Sequence, residues 1–168
     1  MNTLVLYSSR TGNTKKVAEA IGAALGATIR PVRDMGDVSD FDLVFVGFWA
    51  FRRGADMEAR QAIGKMAGKK IAIFGTAGAY PDSDASKSYI ENTAALVKEA
   101  NTYLGGFICQ GRVHSFHVNR RSMHTNEVHP LTPERKARLE EAEKHPDALD
   151  EKQAAAFAKE MAAKAEGL

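Results

Sequence analysis

The strongest constraint on this chain is an alternation of short, wholly apolar runs with longer amphipathic stretches. The runs are Thr3-Leu4-Val5-Leu6-Tyr7, Leu43-Val44-Phe45-Val46-Gly47-Phe48, Ile71-Ala72-Ile73-Phe74 and Gly106-Phe107-Ile108-Cys109, with a weaker one from Thr28 to Val32. Strands that are apolar on both faces and alternate with helices imply a parallel sheet covered on both sides. Helices are expected over about 12–25, with Val17, Ile21, Ala24 and Leu25 on one face, over about 55–66, and over about 84–100, with Tyr89, Leu96 and Val97 inward. Pro31 cannot donate to a ladder, so the second strand belongs at an edge. Right-handed crossovers then give an α/β fold: a doubly wound, five-stranded parallel sheet in the order 2-1-3-4-5.

The remainder reads as an addition to that core. At 168 residues the chain has the length of a single domain, with a core over about 1–111 and a C-terminal loop and helices over about 112–168. Gln110 to Leu131 reads as a long loop with room for one short helix. Thr132-Pro133-Glu134 then opens a helix that ends near His145-Pro146: a capping hydroxyl, a proline at the first helical position and an early acid. A last helix over about 150–164 presents Ala154, Phe157, Ala158 and Met161 as an apolar stripe that packs on one face of the sheet.

Composition removes several classes of function. A hydrophobic fraction of 44% and a charged fraction of 26% exclude disorder of the whole chain. No apolar run approaches the roughly 18 residues needed to cross a bilayer. No basic leader precedes the first strand. A single cysteine, Cys109, cannot form an internal disulfide, which fits a cytoplasmic, reducing compartment. A net charge of +2 is too small to point to nucleic acid.

Between the first strand and the first helix lies Ser9-Arg10-Thr11-Gly12-Asn13-Thr14. It offers hydroxyls from Ser9, Thr11 and Thr14, an amide from Asn13, and the free N–H groups of a helix start. Gly12 removes a side chain where backbone must approach an anion. The loop lacks the lysine of a P-loop and the Gly-x-Gly-x-x-Gly of a dinucleotide site. Many neutral donors and few fixed charges suit a terminal monophosphate, so Asn13→Ala and Thr14→Ala are expected to weaken its binding.

From Val5 to Ile21 the sequence resembles the flavodoxin family: Val5, Leu6 and Tyr7, then Ser9, Gly12, Thr14, Ala18 and Ile21, around a Ser-x-Thr-Gly-Asn-Thr loop. The resemblance implies an FMN phosphate held by residues 9–14 and a flavin ring between two further loops. Those are Trp49-Ala50-Phe51-Arg52-Arg53-Gly54 and Thr76-Ala77-Gly78-Ala79-Tyr80-Pro81, each with an aromatic able to stack on a tricyclic ring. Phe74 to Ser83, Ile108-Cys109-Gln110-Gly111 and His129-Pro130-Leu131-Thr132-Pro133-Glu134 resemble a subgroup that includes flavodoxin-like partners of bilirubin and other tetrapyrrole reductases.

The resemblance implies an electron carrier. With one nucleotide-sized domain, it would receive electrons from a reductase and pass them to a redox protein or an anionic small-molecule acceptor. No nucleophile–base pair is apparent, and outer-sphere transfer needs none. The alternatives are a flavin-dependent reductase acting directly on a quinone or tetrapyrrole-like substrate, and a module that keeps the fold without the flavin.

This chain departs from the acidic flavodoxins. Arg52 and Arg53, if they face the ring, would favour the anionic reduced flavin and suit an anionic partner. The alternative for both is a solvated surface pair. His114, His117, His124 and His129, with Arg112, Arg120 and Arg121, read as a packing loop or a basic lid. They lack the accompanying cysteines or carboxylates of a metal site. Cys109, within a strand, reads as an inert core residue.

Overall fold

A computed structural model describes residues 1–114 and 131–168. Five parallel strands form the sheet: β1 (Thr3–Tyr7), β2 (Thr28–Pro31), β3 (Leu43–Phe51), β5 (Lys70–Ala77) and β6 (Thr102–Gln110), in the order β2-β1-β3-β5-β6. The two-residue β4 (Gly54–Ala55) pairs antiparallel with the end of β3. Without β4 this is the expected order 2-1-3-4-5. The second strand is indeed the edge, pairing only with β1, with Pro31 opposite Tyr7.

The helices are α1 (Asn13–Leu25), α2 (Met57–Gly64), α3 (Asp84–Lys98), α4 (Pro133–Ala142) and α5 (Ala148–Glu166). Strand residues alternate between two cores. Leu4, Leu6, Val44, Val46, Phe48, Ile71 and Ile73 face α2 and α3, where Ala59, Ile63, Ala94 and Val97 meet them. Val5, Leu43, Phe45, Ala72, Phe74 and Leu104 face α1 and α5, where Val17, Ile21, Ala154, Ala158 and Met161 close the layer. The terminal helix therefore covers one face of the sheet, as its apolar stripe predicts.

Three element readings are corrected. The strong strands run further at their carboxyl ends than their apolar runs indicate. Trp49, Ala50 and Phe51 lie in β3, and Thr76 and Ala77 in β5, where ladder bonding continues past the last aliphatic residue. Residues 49–55 form a tight hairpin instead of an open loop, because β4 folds back on β3. Gln110 ends β6 and does not open a loop. His117, His124, His129, Arg120 and Arg121 lie outside the described residues, and with them the lid reading.

Below the carboxyl edge, two glycine–phenylalanine pairs interlock. Gly47 is the register partner of Phe74, and Phe48 that of Gly75. A Cβ on Gly75 would stand 2.6 Å from the Phe48 ring, and one on Gly47 would collide with the Phe74 ring. Each glycine makes room for a ring from the neighbouring strand, one on each face of the sheet. The two pairs precede the Trp49–Thr76 pair in register and so form the floor under these strand ends.

Candidate functional site

β1 ends at Tyr7, and α1 begins at Asn13 after Gly12, whose φ of 95° only glycine adopts readily. A Cβ on Gly12 would meet nothing within 4 Å, so the space above the turn is open. The Gly12 N–H donates to Ser9 Oγ at 3.1 Å, which folds the loop onto itself. Arg10 and Thr11 are exposed and Ser9 is half-buried.

The start of α1 differs from those of the other helices. α2, α3, α4 and α5 are capped by side-chain acceptors from Asp56, Ser83, Thr132 and Asp147. α1 has no side-chain cap and no acid in its first turn. Its first N–H donors and the positive end of its dipole are therefore left for an outside acceptor.

Two of the side-chain donors expected to serve that acceptor are engaged by the protein. Thr14 is buried: its Oγ1 lies 2.9 Å from Thr76 Oγ1 and donates to the Phe48 carbonyl at 3.4 Å. Asn13 Nδ2 donates to the Arg112 carbonyl at 2.9 Å. Thr14 thus fastens α1 to the carboxyl ends of β3 and β5, and Asn13 fastens it to the segment after β6. The outward-facing donors are Ser9, Thr11 and the helix backbone.

The aromatics sit on the β3–β4 hairpin and beside β5. Trp49 is half-buried, and its ring meets Phe51 edge-on at 5.5 Å. The Arg10 guanidinium lies 5.7 Å from the Trp49 ring centroid, and that of Arg52 lies 5.3 Å from Phe51. Arg10, Trp49, Phe51 and Arg52 therefore form one continuous row. Phe51 is 38% exposed and Tyr80 is 40% exposed. Tyr80 is held by its carbonyl, which accepts from Ser83 Oγ at 2.6 Å and Ser86 Oγ at 2.7 Å. Gly78 admits Val113, which a Cβ there would strike, and its carbonyl accepts from Gln110 Nε2 at 3.2 Å.

Asp56 is the residue that sequence reasoning missed. It is 1% exposed and accepts from Ser8 Oγ at 2.6 Å, Trp49 N–H at 3.2 Å and Ala59 N–H at 3.3 Å. One carboxylate thereby joins the residue before the phosphate loop, the hairpin aromatic and the first turn of α2. Burial pushes its carboxyl above the usual aspartate value, against the hydrogen bonds that favour its ionised form. The sequence offered one signal, an acid directly before a helix. Its contact with Ser8, 48 positions away, had none.

A cleft of about 410 Å³ opens beside the loop, lined by Tyr7, Ser9, Gly12, Lys15, Pro31, Arg33, Asp34 and Glu58. It shares Ser9 and Gly12 with the loop but lies on the β2 side, away from Trp49, Phe51 and Tyr80. Cys109 is buried, and burial holds its thiol far above the ordinary value, as an inert core residue requires. His145, Asp147 and Asp150 bring possible ligand atoms within 4.8 Å of one another. Their contacts serve the fold: Asp147 and Asp150 form the capping box of α5, and His145 Nδ1 lies 2.6 Å from Asp150 Oδ2. Among the described residues no helix is long and apolar enough to cross a membrane.

Comparison with known proteins agrees with this fold. Residues 4–159 match the family model described as Flavodoxin domain. The chain is 33% identical to the flavodoxin-like domain-containing protein BilS of Clostridioides difficile (strain CD3), covering 98% of both chains. It is 27% identical to the protein of the same name from Clostridium symbiosum (strain WAL-14163), covering 89% and 90%. An archaeal flavodoxin superposes with a TM-score of 0.62 at 16% identity over 99% of each chain. A Lactobacillus acidophilus NCFM flavoprotein in complex with FMN superposes with a TM-score of 0.54 at 16% identity, over 64% of this chain and 92% of its own.

Proposed function

This chain belongs to the flavodoxin family, and from that premise we propose that it is a single-domain FMN protein that takes electrons from a reductase and hands them to a redox partner. The observation that carries the reading is the uncapped start of α1, open above Gly12 and flanked by outward hydroxyls. When bound, FMN supplies the redox chemistry. The chain binds and orients it.

In this reading Ser9, Thr11 and the first-turn N–H groups of α1 hold the 5′-phosphate, and Gly12 lets it approach. Arg10 adds charge at the loop's rim. Asn13 and Thr14 act from below, fixing the helix start to Arg112, Thr76 and Phe48. Trp49 and Tyr80 flank the ring, with Ala50, Phe51, Thr76, Ala77 and Gly78 as the walls between them. The FMN bound by the Lactobacillus flavoprotein supports the choice of nucleotide. The buried, lone Cys109 fits work in a reducing cytoplasm.

The test compares FMN with riboflavin, which lacks the phosphate, by titration of flavin fluorescence, followed by stepwise anaerobic reduction. FMN is expected to bind at least about a hundredfold tighter, because the anion contributes charge-assisted hydrogen bonds. Reduction of the bound flavin should show clean spectral steps. Equal affinities would remove the phosphate site, and no binding at all would remove the function. Steady oxidation of NADPH with a quinone, without added reductase, would favour a stand-alone flavin reductase instead.

A further inference from the structure

The tip of the β3–β4 hairpin is a feature that FMN binding leaves unexplained. Phe51 and Gly54 are paired, so Arg52 and Arg53 alone make the turn. Both are exposed. Arg52 holds φ at 57°, a left-handed conformation that costs a non-glycine residue about 1 kcal/mol or more. Two-residue hairpin turns ordinarily place glycine or asparagine in such conformations. This one places Arg52 there, with a second cation, Arg53, next to it, and braces the turn. Asn92 Nδ2, from α3, donates to the Arg53 carbonyl at 2.7 Å, and the Arg52 guanidinium rests over Phe51.

Among the described residues these cations have no acidic partner: no carboxylate lies within 4.0 Å of Arg10, Arg52 or Arg53. The tip therefore combines unpaired arginine, an exposed phenylalanine and a pre-ordered backbone. Arginine and aromatic anchors dominate binding energy at protein interfaces, and pre-ordering lowers the entropy lost on association.

Shape decides between a small anion and a protein. A small ligand needs a concave site that buries most of its surface. Arg52 and Arg53 are both exposed at the tip of a two-residue turn, which offers no such concavity of its own.

We propose that the Arg52–Arg53 turn, with Phe51 beside it, is the docking surface for an acidic face of a partner protein. This deepens the electron-carrier reading and rests on it, since it assigns the partner to the hairpin that carries the flavin-flanking Trp49. Complementary charge would steer the encounter and set its orientation, and the attraction would weaken with salt.

The probe is a labelled, acidic plant-type ferredoxin, with basic cytochrome c as the charge-reversed control. Binding to the full chain is followed by anisotropy, in FMN-loaded and flavin-free protein, at about 20 and about 200 mM salt. The ferredoxin is expected to bind in preference to the cytochrome and to weaken at the higher salt. Arg53→Gln should weaken it severalfold, and Arg52→Gln with Arg53→Gln at least about tenfold, while flattening the salt dependence.

Unchanged binding by the double variant would overturn the proposal, as would preference for cytochrome c or equally tight binding of a single-stranded oligonucleotide. FMN titration of the same samples separates the two readings. A chain that binds ferredoxin through these arginines but binds no FMN keeps the docking surface and loses the carrier. A chain that binds FMN but is indifferent to the arginines does the reverse.

Discussion

Ser8 Oγ donates to Asp56 Oδ2 across 2.6 Å, and this buried bond joins the strand that feeds the phosphate loop to the segment that follows the arginine hairpin. The same carboxylate accepts from the Trp49 N–H and caps α2. Asp56→Ala leaves a buried hydroxyl and two backbone N–H groups without their acceptor. It should cost about 2–4 kcal/mol in urea unfolding. Asp56→Asn keeps an acceptor and should cost less. The chain has one tryptophan, so Trp49 fluorescence reports directly on the hairpin. A native-like emission spectrum in a well-folded Asp56→Ala protein would show that the carboxylate does not position it.

Asp56 also sets a pH dependence. Burial raises its carboxyl above the ordinary value of 3.8. The folded chain then keeps a proton that the unfolded chain has released. The contribution of Asp56 to stability is most favourable below 3.8 and declines as pH rises from there through the raised folded value. Asp56→Asn has no such proton. The stability of the wild type relative to this variant should fall across that window, as measured by urea midpoints. Parallel pH profiles would show that the buried carboxyl is not shifted.

His145 runs in the opposite sense. Its imidazole is held above the ordinary 6.5, chiefly by the hydrogen bond to Asp150, against the cost of burial and with help from Glu141. The charged form stabilises the α4–α5 junction fully below 6.5, and that stabilisation is lost as pH rises through the higher folded value. His145→Gln should cost about 1 kcal/mol at pH 6 and progressively less at alkaline pH. A cost that does not change with pH would assign His145 to packing alone.

The outward hydroxyls and the inward one should behave differently. Ser9→Ala and Thr11→Ala are expected to weaken FMN binding about tenfold each with little effect on folding. Thr14→Ala removes the link to Thr76 and Phe48, so it should lower stability by about 1 kcal/mol and weaken FMN only through the loosened helix start. Isothermal titration beside thermal melts separates the two effects. Full affinity in both Ser9→Ala and Thr11→Ala would leave the backbone alone as the anion's ligand.

The floor of the site is expected to be intolerant of one added methyl. Gly75→Ala would press on the buried Phe48 ring, which would have to shift. A loss of about 1–3 kcal/mol is expected in chemical denaturation. A neutral substitution would mean that the ring can move and that the floor is soft.

The parallel sheet, its edge strand and the two-sided core were legible in local pattern. Apolar runs, helical periodicity and Pro31 are properties of neighbouring residues, and burial on both faces leaves its mark in β1, β3 and β5. The strand–helix junction over residues 9–14 was legible too, because glycine and hydroxyl residues there are a local signal. The ends of β3 and β5 were not, since ladder bonds depend on partner strands and not on side-chain polarity. The hairpin went unread for a related reason: Arg52 carries no turn signal, and the turn is braced by distant contacts, Asn92 donating to the Arg53 carbonyl and Phe51 lying under the Arg52 guanidinium.

The order of residues along this chain determined which segments become strands and helices and where the loop between the first strand and the first helix falls. Tertiary structure alone decided that Thr14 would bind inward to Thr76 and that Asp56 would reach Ser8. The reason is distance along the chain. Periodicity acts over a few residues, whereas a buried hydrogen bond between positions 48 apart forms only when the completed sheet brings them together and excludes water from both.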